Sequence, residues 1–330
     1  MPAARFDSAY HAPVLVAEVL DALHLKTGAT RVLDGTLGGG GHALALLETG
    51  ADVTGLDRDP EAITAALTRL ASFASQGRFS AFQSSFADLD GVHALDGVRF
   101  DGIVLDLGVS SHQIDDEARG FSFREGAPLD MRMEGPAAES GPPHGGGSGQ
   151  TAADLLNSAD EHELTTVFKE YGDEPRGGRL AREIVRRRAN RPFVTSDDFV
   201  GAIRAVLGPR SGPPDFARLF QALRIAVNGE LESLAKALPA LRDRLAPAGV
   251  LAVIAYHSGE DRIVKHAFRE WSQSCVCPPR QLVCTCRGRP LGELLTRKAV
   301  NAGPDEIARN SRARSAHLRA WRKGSPAGGE

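Results

Sequence analysis

The chain is predicted to adopt an α/β fold, a Rossmann-like, doubly wound parallel sheet with an inserted all-helical domain. Three observations lead there. Short apolar runs alternate with helical patterns through the first third of the 330 residues, as in a parallel sheet covered on both faces. A glycine-rich turn directly follows the first such run. From 114 to 216 the pattern becomes that of a helical module with a Gly/Pro/Ser-rich loop, and a later apolar run restores the sheet.

In order, Arg31-Val-Leu-Asp34 reads as a strand, His42 to Leu47 as the start of a helix, and Asp52 to Leu56 as a second strand. Pro60 to Ala71 reads as a helix, Phe79 to Gln83 as a strand and Gly102 to Leu107 as a buried strand. Consecutive β-α-β units of this length fit a doubly wound fold. Met133 to Gln150 is rich in Gly, Pro and Ser and is expected to be a flexible loop, 133–150. Ser158-x-x-Glu161 is expected to cap a helix ending near Tyr171-Gly172. An arginine-rich helix stopping before Pro192 follows, then one opened by Thr195-x-x-Asp198 that ends near Gly208-Pro209. One long helix is expected over Asp215 to Leu245, then a strand over Gly249 to Tyr256 and a helix capped by Ser258. Leu294 to Ala299 and Ala316 to Trp321 read as the last strands. The domains expected are 1–113 with 217–330, interrupted by a helical insertion at 114–216.

Composition, with 42% hydrophobic and 25% charged residues, is that of a globular protein. The first fifteen residues lack the basic start and apolar run of a signal peptide. The most apolar stretch, Val250 to Tyr256, is too short to cross a bilayer. A soluble, cytoplasmic protein with no membrane partner is expected. The net charge of −3 carries no nucleic-acid signal, but charge is uneven. Arg176, Arg179, Arg182, Arg186, Arg187, Arg188 and Arg191 are opposed only by Glu183. A second basic segment contains Arg309, Arg312, Arg314, Arg319 and Lys323. Such faces bind phosphate or are simply solvated. All four cysteines, Cys275, Cys277, Cys284 and Cys286, fall within twelve residues. Their C-x-C spacing departs from the usual C-x-x-C knuckle. Zinc and four reduced thiols both remain open, and no metal site is assigned.

The most informative segment is Val32-Leu-Asp-Gly-Thr-Leu-Gly-Gly-Gly-Gly-His42. A strand ends in an acid, and glycines then let the backbone approach a ligand closely. Asp57 follows Asp34 by twenty-three residues and also ends a strand, where an acid accepts hydrogen bonds from ribose hydroxyls. Asp106 ends a third strand. A dinucleotide fingerprint would match Gly39 and Gly41 but then meets Leu44 where glycine is required. The pattern suits S-adenosyl-L-methionine, whose amino acid moiety wants polar partners at the first turn.

These residues resemble the RsmH (MraW) family, bacterial methyltransferases with a class I sheet that modify cytidine N4 in small-subunit ribosomal RNA. The resemblance is carried by His11-Ala-Pro-Val-Leu15, Asp34 to His42, Gly55-Leu-Asp-Arg-Asp-Pro60, Asp106-Leu-Gly-Val-Ser-Ser111, Arg119 to Phe123, Pro128 to Met133 and Tyr256 to Arg262. His112, Gly259 and Ser311 depart from the family's common residues at their positions. The resemblance implies cofactor contacts at Gly40, Gly41, His42, Asp57, Phe86, Asp106 and Gln113, with Phe86 an apolar wall for adenine. It implies 16S ribosomal RNA, in the decoding region and within the small ribosomal subunit, as the partner.

Cytosine N4 is a poor nucleophile, so an enzyme must align it and draw off its proton. Asp106 is the first candidate acceptor. Ser110, Ser111 and His257 are secondary candidates, and Asp130 is a candidate organiser of the substrate side. The arginine helix would grip RNA phosphates. An oxidoreductase and a non-catalytic RNA-binding or assembly protein are the competing readings. Leu44 and the absence of a hydride-transfer pair speak against the first. The second leaves the site acids without a purpose.

Overall fold

A computed structural model describes residues 6–7, 12–24, 30–135, 149–278, 281 and 283–325. His11 and most of the expected 133–150 loop lie outside them. Along the chain come α1 (Val16–Leu23), β1 (Arg31–Asp34), α2 (Gly41–Glu48), β2 (Asp52–Asp57), α3 (Pro60–Arg69), the single turn α4 (Ala71–Ala74), β3 (Phe79–Gln83) and β4 (Phe100–Asp106). Helices α5 (Ser111–Asp115), α6 (Ala152–Ser158), α7 (Glu161–Thr166), α8 (Gly177–Arg188), α9 (Ser196–Leu207), α10 (Pro213–Asn228) and α11 (Glu230–Arg244) follow. The chain closes with β5 (Leu245–Ala255), α12 (Ser258–Ser272), β6 (Gly292–Leu294), β7 (Val300–Asn301), α13 (Pro304–Arg309) and β8 (His317–Lys323). It divides into two compact units, Met1–Gly108 with Leu234–Glu330, and Val109–Ser233.

The first unit holds one sheet in the order β3-β2-β1-β4-β5-β8-β6, with β7 also paired to β8. Strands β1 to β5 run parallel. β8 is antiparallel to β5, β6 and β7. Alternation sends Val32, Val104, Ala252 and Ile254 into one core with α1, α2 and α3. It sends Leu33, Ile103, Leu105, Leu251 and Val253 into another with α11 and α12. The sheet is apolar on both faces. Strand order reverses between β1 and β4, so a crevice opens at their carboxyl ends, where ligands bind in this architecture.

The second unit is helical around its own core of Leu156, Phe168, Leu180, Ile184, Phe199, Leu219 and neighbours. Its helix starts are set by local hydrogen bonding, as where Asp198 Oδ2 accepts the Thr195 amide at 3.0 Å.

Several expectations are corrected. The single long helix over Asp215 to Leu245 is two, because Gly229 takes a left-handed φ of 57° and stops α10. Phe216, Leu219, Phe220, Leu223 and Val227 of α10 belong to the helical core, so the return to the sheet unit falls at Leu234, beyond 217. At the other boundary, Val109 to Gln113 lie in the helical unit. Ser158 caps nothing: its hydroxyl donates to Asp154 O at 2.7 Å, while Thr151 caps α6 and Asp160 caps α7. His257, not Ser258, is the N-cap of α12. The strand expected over Leu294 to Ala299 is interrupted, because Leu295 and Thr296 both donate to Ala320 O and the Thr296 hydroxyl takes the Ala320 amide. Among the described residues, no helix is long and apolar enough to cross a membrane.

Candidate active site

β1, β2 and β4 are neighbours, and each ends in an aspartate: Asp34, Asp57 and Asp106. The chain leaving β1 is strapped across these ends. Gly35 donates to Val104 O and Leu37 to Leu56 O, both at 2.9 Å. Gly38 donates to Asp57 Oδ2 at 2.8 Å, and the Asp106 amide donates to Thr36 Oγ1 at 2.6 Å. Gly40, the N-cap of α2, has a φ of 74° that side chains rarely adopt. A Cβ on Gly41 would stand 2.8 Å from Pro13 Cγ. Glycine is therefore required at both positions for the turn to lie where it does.

Asp34 is fully buried, and its Oδ2 has no hydrogen-bond partner. Burial pushes its pKa up to about 6; His42 opposes the rise, while Asp106 and Asp57 add to it. Burial also lifts Asp57 to about 6, against the amides of Asp59 and Gly38. His42, buried at the start of α2, sets Nε2 3.4 Å from Asp106 Oδ2, an ion-pair contact outside good hydrogen-bond geometry. Burial disfavours the charged ring, but the Asp106 and Asp34 carboxylates outweigh it and raise the His42 pKa above 6.5. Asp106 Oδ1 accepts the Tyr256 hydroxyl at 2.8 Å. Burial and the adjacent carboxylate keep that phenol protonated well above its usual range. The Asp106 carboxylate is thus oriented from two sides.

The other expected residues fall as follows. Phe86 is half-buried, and its Cβ is 3.2 Å from where a Cβ on Gly35 would stand, so it flanks the first turn. His257 Nε2 is 3.3 Å from Glu260 Oε1, and Glu260 Oε2 also takes the Tyr256 amide at 2.8 Å. Ser110 and Gln113, in the helical unit, form a capping box. The Ser110 hydroxyl accepts the Gln113 amide at 3.1 Å and Gln113 Oε1 accepts the Ser110 amide at 3.0 Å. The Ser110 hydroxyl thus already accepts one backbone amide, with its own proton left to donate. Ser111 opens α5, and Asp130 is paired with Arg132 at 2.7 Å. In the second basic segment Arg319 is bidentate on Asp261, and Lys323 Nζ caps the carbonyls of Arg242, Asp243 and Leu245. Those two cations are tied into the fold.

Three features were missed: Tyr256, Thr36 and the buried Asp34 Oδ2 that has no hydrogen-bond partner. Only Asp34, ending a strand before the glycines, carried a signal in the sequence.

Chemically, three carboxylates around a glycine turn favour a ligand bearing positive charge and hydroxyl donors. They disfavour the pyrophosphate of a dinucleotide, which such a turn otherwise binds through its amides. S-adenosyl-L-methionine, with an ammonium, a sulfonium and ribose hydroxyls, fits. Asp34 Oδ2 is a buried polar atom without a hydrogen-bond partner, and His42 Nε2 has only its 3.4 Å ion-pair contact with Asp106.

Comparison with known proteins agrees over nearly the whole length. The chain is 61% identical over 313 residues to "Ribosomal RNA small subunit methyltransferase H" of Gemmatimonas aurantiaca, covering 95% of each chain. It is 46% identical over 318 residues to the protein of that name from Anaeromyxobacter sp. strain K, covering 95% of this chain and 97% of the relative. It is 44% identical over 322 residues to that of Heliobacterium modesticaldum, covering 95% and 98%. The sequence signature described as the MraW methylase family matches residues 8–324, and the chain belongs to that family.

Proposed function

We propose that the chain is an S-adenosyl-L-methionine-dependent ribosomal RNA methyltransferase. It transfers a methyl group to the exocyclic N4 of a cytidine in the decoding region of 16S ribosomal RNA, within the small ribosomal subunit. The observation that carries this reading is the trio Asp34, Asp57 and Asp106 at the ends of three neighbouring strands, with Asp106 oriented by Tyr256 and His42. Kinship with proteins named for small-subunit ribosomal RNA methylation supports the substrate class.

S-adenosyl-L-methionine, when bound, supplies an electrophilic methyl group. In this reading Asp57 accepts the ribose hydroxyls and Phe86 walls the adenine. Asp34 and His42 partner the amino acid end, and Gly40 and Gly41 allow close backbone approach. Cytosine N4 gains nucleophilicity as its proton is drawn to an acceptor. Asp106 is that acceptor, and the Tyr256 hydroxyl holds its carboxylate in position. His257, bound to Glu260, organises the start of α12 beside Tyr256.

The test incubates the purified protein with S-adenosyl-L-methionine and either 16S ribosomal RNA or small subunits from cells lacking the gene, followed by nucleoside mass spectrometry. N4-methylcytidine is expected. Asp106→Ala should abolish it in a folded protein. Tyr256→Phe should slow turnover roughly ten- to a hundredfold, the loss of one hydrogen bond to a charged group. Cofactor binding without methyl transfer would favour the RNA-binding reading, and methylation at another atom would overturn the N4 assignment.

A further inference from the structure

Nothing in the methyl-transfer reading uses the segment between α12 and β6, residues 273–291, which among its described residues has no helix or strand. Among its described residues Val276 and Val283 are 36% and 71% exposed, and apolar packing on the sheet core comes at its end, from Leu291. A segment this long and polar needs another source of order. Its two ends are tied to α12. Leu291 donates to Trp271 O at 2.7 Å, and Arg287 donates to the carbonyls of Glu270 and Gln273. Gln281 spans its tip, donating from Nε2 to Val283 O at 2.9 Å and Thr285 Oγ1 at 2.8 Å.

The four thiols converge inside this frame. Cys284 Sγ lies 3.8 Å from Cys275 Sγ, 3.8 Å from Cys277 Sγ and 3.5 Å from Cys286 Sγ, and Cys286 Sγ lies 3.8 Å from Cys275 Sγ. All four sulfurs are within 4.8 Å of one another. A tetrahedron with zinc–sulfur bonds of about 2.3 Å has an edge of about 3.8 Å. A disulfide would need about 2.0 Å, which none of these pairs approaches. The Val276 amide donates to Cys286 Sγ at 3.3 Å, the outer contact that steadies a metal-bound thiolate.

We propose that Cys275, Cys277, Cys284 and Cys286 form a closed, tetrahedral structural zinc site. Two C-x-C turns each contribute two ligands. Four soft thiolates select zinc, and a filled shell leaves no position for substrate. The ion takes the place of a hydrophobic core beneath this segment and fixes the path from α12 to the strand that pairs with β8.

Metal analysis of the full-length protein, purified under reducing conditions without added metal, should find about one zinc per chain. Replacing it with cobalt(II) should give the absorption of a tetrahedral tetrathiolate. Removing it with a chelator should speed tryptic cleavage at Arg287, and zinc should restore protection. C284S/C286S should bind no metal. If that variant does not fold, chelation and cobalt(II) addition on the unaltered chain are the deciding measurement. The site is overturned by a metal-free protein whose reduced thiols take up no cobalt(II), by an intact mass showing two disulfides, or by iron as the resident metal.

Discussion

The Asp57 carboxylate accepts the amides of Gly38 and Asp59, while burial, the larger effect, raises its pKa to about 6. Its strength as an acceptor for ribose hydroxyls therefore varies close to neutral pH. Above about 6 it is ionised and makes charge-assisted bonds; below, it carries a proton and loses them. Affinity for S-adenosyl-L-methionine should fall as pH drops through 6, approaching about tenfold per pH unit for each group required in its ionised form. Asp34 titrates in the same range, so Asp57→Asn separates the two, with weaker binding at about pH 8 and a shallower decline. Calorimetry from about pH 8 to pH 5 measures this, and a flat wild-type profile would remove Asp57 from the binding site. The place of Asp57 at the end of β2 was readable because it follows from one local rule, an acid at a strand end after a glycine turn. Tyr256 was not. Its bond to Asp106 depends on β5 lying beside β4 with Ile254 opposite Asp106, a pairing of segments about 150 residues apart in sequence. The capping role of Ser110 was hard to read for the converse reason, since a serine near an active acid and a serine capping a helix look alike until the backbone bends.

Helix α8 buries Gly177, Leu180, Ala181 and Ile184 and exposes Arg179, Arg182 and Arg186, so one face packs and the opposite face is cationic. The exposed arginines are partly engaged within the unit. Arg186 is bidentate on Glu183 at 3.0 and 2.7 Å, and Arg182 is 3.4 Å from Glu161. The exposed Arg182–Glu161 pair is worth little, whereas Glu183 is held by Arg186 and Arg187 together. If this face holds RNA, replacing Arg179, Arg182 and Arg186 with glutamine should weaken RNA binding. Each lost phosphate contact should flatten the log–log salt dependence by roughly 0.7–0.9. Filter binding over a salt series reads both quantities, and an unaltered slope would leave α8 as an ordinary solvated helix. S-adenosyl-L-methionine affinity should not change. Periodicity and arginine density made this element legible from sequence. The break at Gly229 was not, because the apolar pattern continues unbroken through α10 and α11 while their faces enter separate cores. Periodicity gives the phase of a helix, not the core that receives it.

At the scale of the molecule, the sheet unit is assembled from both ends of the chain, and the helical unit is threaded between β4 and α11. The alternation of strands and helices announced that arrangement, since a helical stretch too long for a crossover must form its own core. Stability within the sheet unit is tied to the charge that the site conceals. Asp34 has a folded pKa of about 6 against an ordinary 3.8, the direction of a carboxyl that resists ionisation when folded. Below 3.8 both folded and unfolded chains hold the proton, and burial costs nothing in charge. Between 3.8 and about 6 the unfolded chain releases it first, so stability is lost as pH rises. Above about 6 the loss is complete, at most roughly 3 kcal/mol for a shift of about two units. Asp34→Asn removes this charge at nearly constant volume. Urea denaturation of the ligand-free protein should show the variant more stable by about 1–3 kcal/mol at neutral pH, the difference vanishing near pH 4. Saturating S-adenosyl-L-methionine, about 4.1 kcal/mol of added stability at a thousandfold excess over Kd, should reverse the order as the ligand's cationic end satisfies the wild-type carboxylate. A variant that lost stability at neutral pH without ligand would mean that Asp34 holds the fold together. Greater stability coupled to weaker binding would mean that the fold tolerates a buried charge there for the sake of its ligand.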